Sequence, residues 1–121
     1  MEAILDTNFI VGCTKRGIEF LDILKEMGFK VILPKEVYQE LKDLKIKVSH
    51  NERFIIELAI SNLDNKKIKK MKLGKKKVDV GLIEYGKKGA YIATLDSAIK
   101  REVPNKVIIS NADNSLTIER K

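Results

Sequence analysis

The chain has 121 residues, of which 24 are lysine or arginine and 17 are acidic, which gives a formal net charge of +7. At this length we expect a single domain, residues 1–121, whose core needs no disulfide or structural metal. With 44% apolar and 34% charged residues and no long apolar run, the composition predicts no association with a membrane. The basic balance instead favours a polyanionic partner.

The N-terminal segment and the cysteine content predict a cytoplasmic protein. The sequence enters a strand-like segment directly at Glu2, without the basic, apolar and small-residue order of a secretory signal. Cys13 is the single cysteine, so it cannot form an internal disulfide. Cys13 and His50 are also too few for a structural zinc site. We therefore interpret Cys13 as a small core residue.

Alternating strands and helices are predicted along the first part of the chain. The apolar run "AIL", residues 3–5, predicts a short buried strand, and "TNFIVGCTKRG" predicts a helix that ends near Gly17. Helical spacing of apolar residues in "IEFLDILKEMG" predicts a second helix that stops at Gly28. The β-branched run "KVIL" predicts a second strand.

Two longer helices are predicted after the second strand. Pro34 suits the first position of the helix "PKEVYQELKDLK", since a missing N–H is tolerated there. In "SHNERFIIELAISNL", Ser49 and Glu52 have the spacing of a capping box. The predicted buried face of this fourth helix consists of Phe54, Ile55, Leu58, Ala59 and Leu63.

A lysine-rich stretch, "KKIKKMKLGKKK", follows the fourth helix. It runs from Lys66 to Lys77 with eight lysines and no acid. One interpretation is an arm that binds a polyanion, because a block of like charge repels itself and is typical of interaction segments. The other is a solvated loop or edge strand with Ile68, Met71 and Leu73 turned inward. The sequence leaves both open.

The last third of the chain returns to alternating elements. A helix in "VDVGLIEYGKKG" stops at Gly89, the strand "AYIATL" ends on Asp96, and the short helix "SAIKREV" breaks at Pro104. "KVIIS" and "SLTIE" predict two further strands. Because the strands are continuous apolar runs separated by helices, we expect an α/β three-layer sandwich: a mainly parallel four- or five-stranded sheet flanked by helices.

Acidic residues follow two of the predicted strands. Asp6 and Asp96 each stand at a carboxyl end, and in parallel sheets sites form outside those ends near the point where strand order reverses. Either aspartate alone is also a good helix N-cap. Glu40 and Asp79 lie at the borders of apolar helix faces, although each alone would be an ordinary surface acid. We expect the four side chains to face one crevice.

Four converging carboxylates need a counterion. Two unit charges about 4 Å apart repel by about 4 kcal/mol at an effective dielectric of 20, so protons or a cation must be present. A donor set of carboxylates favours Mg²⁺ or Mn²⁺ over zinc, and such an ion in a basic protein predicts phosphodiester hydrolysis. The polar neighbours placed to orient ligands or waters are Thr7, Asn8, Thr94 and Ser97.

Basic residues are predicted to bind the rest of the strand that carries the phosphodiester bond. They lie in the lysine-rich stretch and in the short helix after Asp96. The candidates are Lys66, Lys67, Lys69, Lys70, Lys72, Lys75, Lys76, Lys77, Lys100 and Arg101.

The ordered acidic motifs resemble those of PIN-domain ribonucleases. "ILDTNFI", "VYQEL" and "VDVGLIEYGKKGAYIATLD" occur in that order, and the resemblance, which continues to the C-terminal "LTIER", extends over nearly the whole chain. The later motifs are most similar to the small Fcf/Utp-type nucleases of ribosomal RNA processing, with VapC toxins as the other close relatives. Many relatives carry a further acid where this chain has Ala98, so the number of metals stays open.

The resemblance implies a specific activity and set of partners. It implies endonucleolytic RNA cleavage with Mg²⁺ or Mn²⁺, homodimerisation, and an antitoxin or ribosome-assembly partner. Metal ligands and catalytic residues would be Asp6, Glu40, Asp79 and Asp96. A non-catalytic RNA-binding or assembly factor with the same fold is the alternative. A receiver-like phosphoryl-transfer domain fits less well, because Asp6 has no second acid two residues on.

Overall fold

The computed structural model describes residues 1–74 and 77–121. Within these residues, six strands and six helices follow one another along the chain. Their bounds are β1 (Glu2–Leu5), α1 (Thr7–Lys15), α2 (Phe20–Glu26), β2 (Lys30–Pro34), α3 (Lys35–Lys47), α4 (His50–Asn65), β3 (Lys69–Met71), α5 (Val78–Lys87), β4 (Tyr91–Ala93), α6 (Ser97–Glu102), β5 (Asn105–Ser110) and β6 (Ser115–Arg120).

The strands form one sheet in the order β3-β2-β1-β4-β5-β6. All neighbouring pairs are parallel except β5 and β6. The chain moves outward from β1 through β2 to β3 and then returns to β4 on the other side of β1. The strand order therefore reverses between β1 and β4, where a crevice is expected at the carboxyl ends.

This architecture confirms the α/β sandwich, and the described sheet has six strands where four or five were expected. The additional strand is β3, which pairs with β2 at the sheet edge. It has three residues, two of them lysines, so it lacks the apolar run that identifies a strand in sequence. Lysines are common on edge strands because they oppose pairing with other chains.

Helices cover both faces of the sheet. Ile4, Ile32 and Ile92 occupy one register row and pack with α5 and α6. Leu5 and Leu33 belong to the larger cluster on the other face, which includes apolar residues of α1, α2, α3 and α4. Each buried side chain of this size contributes about 1.5–3 kcal/mol of transfer free energy, so the two layers fix the strand register.

The cap and stop residues shape the local elements. Ser49 Oγ accepts a hydrogen bond from the Glu52 N–H at 3.4 Å, and Gly28 and Gly89 adopt positive φ after their helices. Pro34 lies one position earlier than expected, as the last residue of β2 and the N-cap of α3. Cys13 is buried, and burial raises the pKa of its thiol to about 12, which keeps it protonated.

The predicted buried face of α4 was partly wrong. Ala59 and Leu63 are buried, but Phe54 is 67% exposed and Leu58 42% exposed, while Ile56 is buried instead. The helix carries more apolar residues than one face can hold. Its periodicity therefore fits two orientations, and the choice depends on packing against α1 and α3. No helix among the described residues is long and apolar enough to cross a membrane.

Candidate active site

A cavity of about 850 Å³ opens at the carboxyl ends of β1 and β4, where the strand order reverses. Its walls come from α1, α3, α5 and α6, so it joins residues from both ends of the sequence. The structure places all four predicted acids on this cavity, together with a fifth. These carboxylates are Asp6, Glu40, Asp43, Asp79 and Asp96.

Asp6 is the buried member of the acidic set, with 7% of its surface exposed. Its Oδ1 accepts a hydrogen bond from the Thr7 N–H at 2.8 Å, and its Oδ2 accepts one from Thr94 Oγ1 at 2.6 Å. Burial raises the pKa of Asp6, the hydrogen bonds from Thr94 and Thr7 offset part of this effect, and the charges of Glu40 and Asp96 raise it further. The site therefore favours a proton or a cation at Asp6.

Two hydrogen-bonding side chains fix the loop after β4 against the start of α1. The Thr94 hydroxyl donates to Asp6 and accepts from the Asp96 N–H at 3.1 Å, which links the two strand-end aspartates. Asn8 Oδ1 accepts a hydrogen bond from the Leu95 N–H at 3.0 Å. Thr94 and Asn8 thus hold the relative positions of the two carboxylates, as residues that orient metal ligands do.

The remaining acids are also hydrogen-bonded locally. Glu40 accepts a hydrogen bond from the Thr7 hydroxyl. Asp96 Oδ1 caps α6 by accepting from the N–H groups of Ala98 and Ile99, and Asp79 Oδ1 accepts from the Val80 N–H at 2.9 Å. The capping role of Asp96 uses one oxygen of its carboxylate, so capping and a role in the cavity are compatible.

The acids share the cavity without forming a closed cluster. Within residues 1–74 and 77–121, no three Asp, Glu, His or Cys side chains are close enough together to form a group of metal ligands. The fit to a hard cation therefore depends on the donor chemistry, which is all oxygen, and on the buried Asp6, whose carboxylate is repelled by the charges of Glu40 and Asp96.

Ser97 was predicted to orient ligands or waters, but the structure places it outside the lining of the cavity. It is exposed at the start of α6, does not line the cavity, and its side chain makes no hydrogen bond with the described residues. The carboxylate of Asp96, rather than the hydroxyl of Ser97, caps the helix.

Two charged residues of α3 were missed in the sequence. Asp43 and Lys47 follow Glu40 at i+3 and i+7 and line the same wall as Leu44. Helical spacing from Glu40 was the available signal. Both side chains are exposed, so their pattern alone does not distinguish them from a solvated face.

The structure separates the predicted RNA-binding lysines along the sheet edge. Lys77 lines the cavity, and Lys70 lies 4.4 Å from the centre of the Tyr38 ring. Lys66 forms an ion pair with Asp22 at 3.0 Å. Lys67 and Lys69 lie with Lys66 at the other end of β3, while Lys100 and Arg101 on α6 do not line the cavity. Lys75 and Lys76 lie outside the described residues.

Glu36 anchors the segment that leads from β3 to the cavity. Its carboxylate accepts hydrogen bonds from the N–H groups of Leu73, at 3.0 and 3.1 Å, and Gly74, at 3.2 Å. Although burial acts to raise the pKa of Glu36, these hydrogen bonds and the charge of Lys72 lower it overall. The ionised side chain therefore holds the backbone at Leu73 and Gly74 against the start of α3.

Comparison with known proteins identifies the fold. No protein-family model matches the sequence, and no curated protein matches it either. A solved structure of the PIN domain endonuclease Utp24 superimposes with a TM-score of 0.77 and covers 99% of this chain and 92% of its own. The two sequences are 19% identical, so the likeness concerns the fold. The chain has the fold of PIN-domain nucleases, as the sequence motifs predicted.

Proposed function

We propose that the chain, acting as one domain, is a metal-dependent endoribonuclease that hydrolyses RNA phosphodiester bonds at the acidic cavity. The observation that carries this proposal is the buried Asp6, held between the charges of Glu40 and Asp96 at the point where the strand order reverses. Perturbed carboxylates in a large cavity are typical of active sites. The nuclease fold of the structural neighbour supports the same reaction class.

Four side chains would hold Mg²⁺ or Mn²⁺: Asp6, Glu40, Asp79 and Asp96. When bound, such an ion supplies a water of lowered pKa and stabilises charge on the attacked phosphate. Thr94 and Thr7 keep Asp6 and Glu40 oriented through their hydroxyl groups.

The lysines on the cavity wall suit substrate binding. Lys47 from α3 and Lys77 before α5 line the same space as the carboxylates. Their ammonium groups would contact phosphates that flank the scissile bond and so offset the repulsion between RNA and the acids. The mixed lining explains how a strongly acidic cavity in a basic protein can accept a polyanion.

Cleavage of RNA by purified protein tests this proposal. We expect single-stranded or structured RNA to be cut with Mn²⁺ or Mg²⁺ and not with EDTA. Asp6→Asn should lower activity by more than the roughly 10- to 100-fold typical of residues that only orient a metal ligand. The matched control, Asp113→Asn in an exposed turn, should retain full activity. Metal-independent cleavage, or a fully active Asp6→Asn protein, would exclude the mechanism.

A non-catalytic RNA-binding or ribosome-assembly factor is the second candidate. The observation in its favour is that, among the described residues, no three acidic side chains lie close enough together to form a group of metal ligands. Titration with Mn²⁺ separates the two functions. RNA affinity that persists with a steep salt dependence, without metal binding at Asp6, would favour the binding factor.

The molecule that this chain binds in the cell would distinguish between two biological roles. Processing of ribosomal RNA and VapC-like toxin action are the two roles that we propose for the nuclease. A small antitoxin encoded beside this chain and bound to it would establish the toxin role. Co-purification with precursor ribosomal RNA would establish processing.

A further inference from the structure

A second cleft, of about 230 Å³, lies at the opposite end of the sheet from the acidic cavity. It is formed by α2, the start of β2 and the residues that lead into β3. Its charged lining has one acid, Asp22, and five lysines. The lysines are Lys25, Lys30, Lys66, Lys67 and Lys69.

Most of the positive charge in this cleft is unpaired. Asp22 forms its ion pair with Lys66. The side chains of the other four lysines make no hydrogen bond or ion pair with the part of the chain that the structure describes. Like charges gathered at one cleft repel each other, and a bound anion relieves that repulsion.

Lys67 occupies a backbone position that favours glycine. It follows Lys66, the C-cap of α4, and its φ is +51°. Helices commonly end with glycine in this left-handed conformation because a Cβ atom is strained there. A lysine at this position costs stability, and what it adds is an ammonium group at the cleft.

A row of lysines joins the cleft to the acidic cavity along the sheet edge. Lys69 lies in the cleft, Lys70 contacts Tyr38, and Lys77 reaches the cavity. The neighbouring strand β2 spans five residues, or roughly 16 Å at about 3.3 Å per residue. This span corresponds to about four or five nucleotides at roughly 3.4 Å per nucleotide along a helical strand.

We propose that this cleft binds the phosphate backbone of the RNA whose scissile bond lies in the acidic cavity; the proposal rests on the proposed function. Leu21 and Phe29 on the floor are 7% and 4% exposed, too little for a base to stack on them. Recognition is therefore by charge and independent of sequence. Tight binding therefore requires a minimum length of RNA beyond the scissile bond.

The first experiment measures RNA binding by the full chain in EDTA, so that no cleavage occurs. Two RNAs are used, of about 20 and about two nucleotides, because a span of about four or five nucleotides lets only the longer one reach from the cavity to the cleft. Lys30→Gln with Lys69→Gln should weaken binding of the long RNA about 10-fold and reduce the salt slope by about 1.4. Binding of the short RNA, which offers one internucleotide phosphate, should change less than about twofold. The matched control, Lys45→Gln with Lys121→Gln, removes the same charge elsewhere and should change the long-RNA Kd less than about twofold.

The second experiment separates charge from stability. Lys67→Gly should raise Tm, because it relieves the left-handed strain, and should still weaken binding of the long RNA. Equal losses of RNA affinity in the two double variants would overturn the proposal that the cleft binds RNA. Equal losses for the two RNA lengths would also overturn it. Aggregation of the Lys30/Lys69 variant with unchanged RNA affinity would also overturn it, since the lysines would then only protect the sheet edge.

Failure of the two proposals gives different results. If the wild-type protein cuts neither RNA with Mn²⁺, the proposed nuclease function fails. The length-dependent loss of binding in EDTA would still support the cleft. If wild-type protein cleaves RNA and the Lys30/Lys69 variant binds and cuts the long RNA like wild type, the proposal for the cleft is wrong. The proposed nuclease function would then still stand.

Discussion

The acidic cavity and the basic cleft lie at opposite ends of the same sheet, and their side chains are held in different ways. In the cavity, Asp6 and Glu40 are fixed by hydrogen bonds from Thr94 and Thr7. In the cleft, lysines are exposed and, apart from Lys66, lack ionic partners among the described residues. Chemistry at one phosphate requires fixed geometry, whereas long-range attraction of a polyanion tolerates flexible charges.

After Asp6→Asn, the largest effect is expected at Thr94, whose hydroxyl group links Asp6 to Asp96. Thr94→Val removes the hydrogen bond to Asp6 Oδ2 and the acceptor for the Asp96 N–H. We expect a loss of about 10- to 100-fold in kcat/KM, and a loss of about 1–3 kcal/mol in unfolding free energy from buried unpaired groups. Cleavage assays and chemical denaturation measure the two effects.

Thr14→Val is the matched control for Thr94→Val. The Thr14 hydroxyl donates to the Ile10 carbonyl within α1, away from the carboxylates. This substitution should leave kcat/KM within about twofold of wild type, since such a bond contributes little to a helix. Similar losses of kcat/KM in both variants would show that the hydrogen bonds of Thr94 matter no more for activity than that of Thr14.

A smaller effect is expected at Glu36, between the two regions. Glu36→Gln weakens the anchor of Leu73 and Gly74, so KM should rise about 3- to 10-fold with little change in kcat. Because the folded pKa is lowered, the native state binds fewer protons, and the contribution of Glu36 is present above the ordinary pKa and lost below it. Glu57→Gln on α4 is the control, and an equal change there would contradict the anchor.

A comparison of metal-free with metal-loaded protein tests how the charge of Asp6 affects the stability of the fold. Its raised folded pKa means that the native state binds more protons than the unfolded state, so its contribution to stability falls as pH rises from about the unfolded value of 3.8. Wild type should therefore lose Tm relative to Asp6→Asn between about pH 4 and pH 7, where 1 kcal/mol corresponds to roughly 4 °C.

Saturating Mn²⁺ should close this gap at pH 7, since a bound cation stabilises the ionised carboxylate. Differential scanning calorimetry gives both Tm values. A gap that is independent of pH and of metal would mean that Asp6 acts only as a helix cap.

The smallest effect is expected at Lys66. Its ion pair with Asp22 is about half exposed on both sides, so Lys66→Gln should change stability by less than about 1 kcal/mol. Since its charge is already neutralised, the RNA Kd should change less than about twofold. A loss as large as that of the Lys30/Lys69 double variant would show that the ion pair opens when RNA binds.

Local sequence signals predicted those parts of the site that depend on local structure. Asp6 and Asp96 were identifiable because each follows an apolar strand, and Glu40 and Asp79 because they border apolar helix faces. The positions of Asp43 and Lys47 on the cavity wall were missed because exposed helical residues carry no apolar signal. The separation of the lysines arises from pairing of β3 with β2, a contact between distant segments that periodicity does not encode.

The pairing of β1 with β4 also bears on when the protein acquires its site during synthesis. The Asp6 backbone N–H donates to the Ala93 carbonyl, and the Asp6 carboxylate accepts a hydrogen bond from the Thr94 hydroxyl. About ninety residues must therefore be synthesised before the first aspartate is held in place. At roughly 5–20 residues per second, this leaves the nascent chain without an assembled cavity for several seconds. A ribosome-bound fragment that ends before β4 is therefore expected to leave the RNA around it uncut.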